Sequence, residues 1–232
     1  MERIKAHVSH VGPALLPLVL VYTALLVAAL VTGGLLRHGA PFVTPYGPPE
    51  AVRQFFATNG EAVRTSAFFF FGSFVPLGIF AATLVSRLHF LGVRAAGNYI
   101  ALFGGFATAS MIALSGVSSW VLSVPEVSTS VPLTKALYFL SFLFGGTGFA
   151  VCFGLLAAGV SVTSYFYSLL PGWVVWFGLL IAVAGELSTF SLIVYPATFA
   201  IPITRFGGLI WLIAVAATLP KTRPAQPVEA QQ

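Results

Sequence analysis

Aspartate is absent from this chain, and six glutamates are the only acids among its 232 residues. Charged residues make up 7%, against roughly 25% in a soluble domain, while 58% of the residues are hydrophobic. Such a supply cannot cover a water-facing surface, and the mean hydropathy of +0.96 places the chain in a membrane. Without Asp there is no aspartyl-protease dyad and no DxD metal site. One cysteine, Cys152, excludes an intrachain disulfide and a thiolate metal cluster. Set within an apolar run, it reads as a buried, inert thiol.

Histidine is scarce where it would matter. His7, His10, His38 and His89 fall outside or at the ends of the apolar runs, so an intramembrane haem lacks its axial ligands. His7-x-x-His10 offers only two ligands, too few for a metal site, and reads as solvated. No cofactor and no metal are expected. The chain also lacks a Walker loop, HExxH and GxSxG. Ser115-Gly116 supplies a hydroxyl, but no intramembrane histidine accompanies it. These absences point away from an enzyme. A net charge of +5 would suggest nucleic acid in a soluble protein. Here the basic residues stand singly in short joints, the distribution of membrane topology, and no nucleic-acid partner is expected.

What is present is apolar length. A bilayer core about 30 Å thick takes roughly 20 apolar residues per helix. Six runs meet or approach this, near residues 14–36, 66–88, 98–122, 134–162, 173–195 and 205–219. The expected fold is therefore an all-α membrane protein, one bundle of six transmembrane helices over residues 1–220. The runs do not alternate, which excludes a β-barrel. The first is long and ends without a small-x-small cleavage site, so it reads as a retained helix rather than a signal. The sixth, fenced by Pro202 and Pro220, is the shortest and could be tilted or re-entrant.

Topology follows from Lys and Arg. Arg3, Lys5, Arg87, Arg94, Lys221 and Arg223 lie on the side of the termini, and Arg37, Arg53, Arg64, Lys135 and Arg205 on the other. Three of the latter belong to the long first loop, where distant charges weigh less, so both termini are expected inside. That loop, residues 37–65, opens with Pro41, Pro45, Pro48 and Pro49 and then predicts a short helix over residues 50–57. Phe55 and Phe56 would rest on the headgroups, with Arg53 and Gln54 toward water. The loop is either a connector lying on the membrane or a lid over a cavity. Residues 221–232 are polar and read as a disordered tail.

A shift of about 74 residues lays Phe70 on Phe144 and Phe103-Gly104 on Phe177-Gly178, so spans 2–3 and 4–5 resemble a tandem two-helix repeat. In lipid, helices associate through small residues that let backbones approach. Ser141, Gly145, Gly148, Cys152 and Gly159 form such a face on the fourth span, and Gly104 and Gly105 belong to one on the third. Pro76 predicts a kink in the second span, freeing a carbonyl near Gly72.

One residue is anomalous. Glu186 stands midway along the fifth run, where an acid costs about 3 kcal/mol on insertion scales. No Lys, Arg or His occupies the apolar middle of any predicted span. An unpaired acid there is expected in its neutral form, donating to a hydroxyl on another helix. Thr108, Ser110, Ser115 and Thr147 are the candidates. Glu186 is then a structural hydrogen-bonding group, a proton or ligand site, or a contact with a partner subunit.

The segments Glu61-Ala62-Val63-Arg64, Gly78-Ile79-Phe80, Ser86-Arg87-Leu88, Leu91-Gly92-Val93-Arg94 and Leu102-Phe103-Gly104-Gly105 resemble uncharacterised bacterial multi-span membrane proteins, as does Ala184-Gly185-Glu186-Leu187. The resemblance implies a six-span protein of the bacterial inner membrane and carries no activity with it. The expectation is a small-solute or proton-coupled permease, or a ligand binder, with Glu186 as a protonatable site. The alternative is a non-catalytic accessory subunit of a membrane complex. The expected partners are the bilayer and either a second copy of the chain or another membrane protein.

Overall fold

The structure is a computed structural model that describes residues 7–37 and 39–224. Arg3, Lys5, His38 and residues 225–232 lie outside the described residues, as does the His7 side chain. The chain is an integral membrane protein whose six spanning helices run over Leu15–Leu35, Gly60–Phe90, Ala96–Leu122, Val131–Tyr167, Gly172–Leu192 and Tyr195–Thr218. A first strand, β1 (His7–Ser9), pairs antiparallel with β2 (Thr222–Pro224), with Val8 opposite Arg223. Residues 222–224, read from the sequence as part of a disordered tail, thus form a strand that ties the segment after the sixth span to the one before the first, at one end of the bundle.

The first span, α1 (Leu15–Leu35), buries Leu15, Val19, Tyr22, Leu26 and Ala29. Alternating steps of four and three make one seam, which faces the bundle. The next helix, α2 (Pro49–Thr58), belongs to the first loop and starts on the Pro49–Glu50 signal. Its Phe56, expected on the headgroups, turns inward instead. Val52 and Phe56 are buried, and Phe56 meets Tyr138 edge-on at 4.9 Å. Gln54 is exposed, whereas Arg53 binds Glu50 at 2.9 Å and the Ser128 carbonyl at 3.3 Å. This apolar face is covered by protein.

The second span comprises α3 (Gly60–Gly72) and α4 (Phe74–Phe90), interrupted at Ser73. The break falls three residues before Pro76, which has no N–H to give the carbonyl of Gly72. Ser73 Oγ donates to the Phe70 carbonyl at 2.7 Å instead. At the centre of the bundle lies α5 (Ala96–Leu122), packed against α3, α4, α7 and the fourth span's first half, α6 (Val131–Leu143). A π-helical turn, Phe144–Gly148, joins α6 to α7 (Phe149–Tyr167) within one continuous span.

Close approach of α5 and the fourth span rests on glycine. A Cβ on Gly104 would fall 2.8 Å from the Cys152 carbonyl and collide with the Leu156 amide. One on Gly148 would lie 2.8 Å from Met111 Sδ, and one on Gly159 2.6 Å from the Gly97 carbonyl. Gly105 sits against Ala81 of α4, and Gly145 against Ser115. Buried Trp211, Phe80, Phe149 and Phe153 fill the space between helices.

The fifth span is α8 (Gly172–Leu187) followed by a 3-10 turn, Ser188–Leu192. The sixth begins well before the expected residue 205. A 3-10 turn, Tyr195–Phe199, leads into α9 (Ala200–Pro202), a second π-helical turn, Ile203–Gly207, and α10 (Gly208–Thr218). Pro202 does not fence the span, because a proline near the start of a helix sacrifices an amide that has no intrahelical partner anyway.

Candidate functional site

This longer sixth span changes the chemistry. Arg205 becomes the eleventh of its 24 residues, within the membrane rather than in a loop. The expectation that no basic residue occupies the middle of a span is therefore corrected. Its guanidinium lies 4.6 Å from the centroid of Phe149 and 5.4 Å from that of Phe70. Nη2 donates to the carbonyl of Gly145, and Nε is buried with no hydrogen-bond partner. Buried Tyr22 of α1 is its neighbouring ionisable side chain.

Two irregular turns build this arrangement. Arg205 belongs to the π turn of the sixth span and Gly145 to that of the fourth. In the fourth, the Phe149 amide reaches the carbonyls of Phe144 and Gly146, not that of Gly145. A π turn displaces the ordinary four-residue pairing and so presents backbone oxygen to outside donors. The guanidinium takes one such oxygen. Two aromatic faces supply the rest of its cradle, since a ring's negative face attracts a cation most when water is excluded.

A hydroxyl seam adjoins Gly145. Ser115 Oγ donates to the Ser141 carbonyl at 2.9 Å, and Ser119 and Ser141 hydroxyls meet at 2.7 Å. Thr147, in the same π turn as Gly145, exchanges a hydrogen bond with Ser191 at 2.6 Å. The first loop covers this end of the bundle. Tyr46 packs edge-on against Tyr195 at 4.9 Å, Phe139 at 5.2 Å and Phe142 at 6.0 Å. Tyr138 Oη donates to the Val43 carbonyl at 2.6 Å, and Lys135 Nζ to that of Gly47 at 3.2 Å.

Glu186 lies elsewhere. It is the fifteenth of the 21 residues in the fifth span, in the last turn of α8 rather than at its middle. Its side chain is exposed on the outside of the bundle, with Gly154 of α7 nearby. The four hydroxyls expected around it do not converge there. Thr108 donates to Gly104 at 2.6 Å and Ser110 to Phe106 at 2.9 Å, each one turn back on its own helix. Ser115 and Thr147 are engaged with Ser141 and Ser191, as described. Thr108 and Ser110 take the carbonyls their own helix offers and Ser115 and Thr147 take partners on neighbouring helices, which leaves none of the four for a distant acid.

The only ion pair among the described residues is Arg53–Glu50, in the first loop. Arg205 and Glu186 therefore each lie within a span without a charged partner. The sequence contained a signal for Arg205: the 24 residues from Tyr195 carry one charge and include an 18-residue stretch of mean hydropathy 1.8. The two prolines obscured it. Compared with family models, with curated proteins and with solved structures, the chain matches none.

Proposed function

We propose that this membrane protein binds a small anionic solute at Arg205 and works as a permease or ligand-binding protein. One observation carries the reading: a guanidinium inside a span, cradled by Phe149 and Phe70, with Nε buried and, among the described residues, no partner for it and no carboxylate on the guanidinium. A charge in this position is expensive, and intramembrane cations mark ligand or ion pathways. A carboxylate or inorganic anion would satisfy Nε and neutralise the guanidinium in one contact. The hydroxyls of Ser115, Ser119 and Ser141 form a polar seam beside the Gly145 turn that Arg205 binds, and we read the first loop with Tyr46 as a lid at this end of the bundle. Arg205 thereby takes the role that sequence reasoning gave to Glu186.

Counting Arg205 as intramembrane leaves four Lys and Arg residues opposite the six on the side of the termini. This asymmetry supports cytoplasmic termini, and the resemblance described above supports a bacterial inner membrane. The test is uptake by liposomes containing the purified protein, with a panel of chloride, phosphate and small carboxylates. Wild type should accumulate at least one anion against an empty-liposome control, and Arg205→Gln should not. Equal uptake by both proteins, or binding by neither, would remove Arg205 from the function.

A second reading rests on Glu186. An acid exposed on the outside of a spanning helix suits a hydrogen bond to a partner's helix, as in an accessory subunit. Glu186→Gln should then shed a co-purifying membrane protein while leaving anion uptake unchanged.

A further inference from the structure

A second unsatisfied group of cations lies at the opposite end of the bundle, under the strand pair that joins the termini. Arg87, in the last turn of α4, is only 3% exposed, and its Nε and Nη1 are buried without a partner. His10, just beyond β1, hydrogen-bonds Ser86 Oγ through Nε2 at 3.0 Å, while its Nδ1 is likewise buried and unpartnered. The imidazole packs edge-on against Phe90 at 5.5 Å, and the Arg223 guanidinium stands 4.8 Å from the same ring. The backbone closes the corner, with the His10 amide donating to the Lys221 carbonyl at 2.9 Å.

The end of a helix attracts cations through its carbonyls. That attraction does not explain these atoms, because neither Nε nor Nη1 of Arg87 bonds to a carbonyl. Two buried nitrogens of Arg87 lack an acceptor and the buried Nδ1 of His10 lacks a partner, with the Arg223 guanidinium on the same Phe90 ring as the imidazole. Among the described residues no carboxylate lies within 4 Å of Arg87 or Arg223. The acceptor that fits carries several oxygens and negative charge. The level also matters: the last turn of the second span is where the hydrocarbon gives way to headgroups.

We infer that this corner binds a phosphate group, held by Arg87 and His10 beneath the terminal strands and by Arg223 at its edge. The phosphate belongs either to the headgroup of an anionic lipid or to a free phosphate at the membrane surface. Binding couples the strand pair to the bundle, because β1 brings His10, β2 brings Arg223 and α4 brings Arg87. The site is independent of Arg205, so either can fail without the other.

The test uses the full chain, stripped of lipid in a neutral detergent. It is offered phosphatidylglycerol, phosphatidylcholine or inorganic phosphate, with native mass spectrometry and the His10 NMR signal as readouts. For a lipid headgroup, wild type should retain one phosphatidylglycerol in preference to phosphatidylcholine. Arg223→Gln should weaken that retention about fivefold, the worth of one basic residue at an anionic surface. Arg87→Gln should abolish it. For free phosphate, the His10 signal should move on adding inorganic phosphate, with no preference between the lipids and no movement in Arg223→Gln. If Arg87→Gln fails to fold, Arg223→Gln and His10→Gln carry the comparison. Equal retention of both lipids with an unmoved His10 signal would overturn the site.

Discussion

The guanidinium of Arg205 lies 4.6 Å from the ring centroid of Phe149, one residue beyond the π turn whose Gly145 carbonyl it binds. The cation and its cradle come from different spans, so the contact also docks the sixth helix on the fourth. An arginine that served only as a dock would want every donor filled. Nε is not filled.

Replacing Arg205 by Lys should weaken anion binding by about tenfold or more, because an ammonium cannot stack on two rings and hold two acceptors in one plane. Thermal melting in chloride and carboxylate solutions reads the effect. Arg205→Met should melt no lower than wild type in the absence of anion, since removing an unpaired charge offsets the lost contact. A wild-type protein that anions do not stabilise would contradict the first expectation, and an Arg205→Met protein that melts well below wild type the second.

The lid reading makes a kinetic claim. Tyr46→Ala removes the ring that spans Tyr195, Phe139 and Phe142. Anion association and dissociation should both quicken, with the equilibrium constant changing by less than about threefold. Stopped-flow fluorescence measures the two rates. A change in affinity alone would make the loop part of the binding site and not its cover.

Glycine should be indispensable at the α5 interface and dispensable at the end of α3. Gly104→Ala drives a methyl into the backbone of Cys152 and Leu156, which side-chain rotation cannot relieve, and should cost about 1–3 kcal/mol. Gly72→Ala meets nothing within 4 Å and should leave stability within about 1 kcal/mol of wild type. Unfolding in mixed micelles compares the two.

The terminal strands should loosen in acid. Burial first, and the Arg87 charge second, hold the His10 imidazole below its ordinary value near 6.5. The folded state therefore binds fewer protons than the unfolded one as pH falls below about 6.5. The stability that His10 contributes is complete above that pH. It declines until the lowered folded value is passed. Protection of the amides of residues 7–9, 222 and 223 from hydrogen exchange, relative to the intrinsic rate at each pH, should fall between pH 7 and 5, and His10→Gln should flatten the profile. Bound phosphate would oppose the trend by favouring the imidazolium.

The buried Thr147–Ser191 pair offers a measure of interhelical hydrogen bonding. A double-mutant cycle with Thr147→Val and Ser191→Ala should return a coupling of about 0.6 kcal/mol, the usual value between membrane helices. A coupling near zero would mean that each hydroxyl has an equivalent carbonyl on its own helix.

Much of the architecture was legible in the residues themselves. Hydrocarbon demands continuous apolar length with internally satisfied backbones, so composition and run length were enough for six helices. Pro49 with Glu50 marked the start of α2 for a local reason, and Pro76 marked the irregularity in the second span for another. Glycine spacing on the fourth span drew attention to the face that lies along α5.

Where side chains ended up was decided between helices. Phe56 could face headgroups or Tyr138, and only the packing of α2 against α6 chose the latter. Glu186 looked central because the fifth run was counted to Tyr195, but α8 ends at Leu187 and the acid faces outward. Arg205 looked peripheral because Pro202 resembles a boundary. Tyr195–Phe199 is an irregular but apolar entry, and the π turns of two spans had to meet before the arginine could find the Gly145 carbonyl. Sequence sets which segments leave water, because that is a sum over residues. The partner of a lone charge within them depends on the relative phase and depth of separate helices, which no local sum contains.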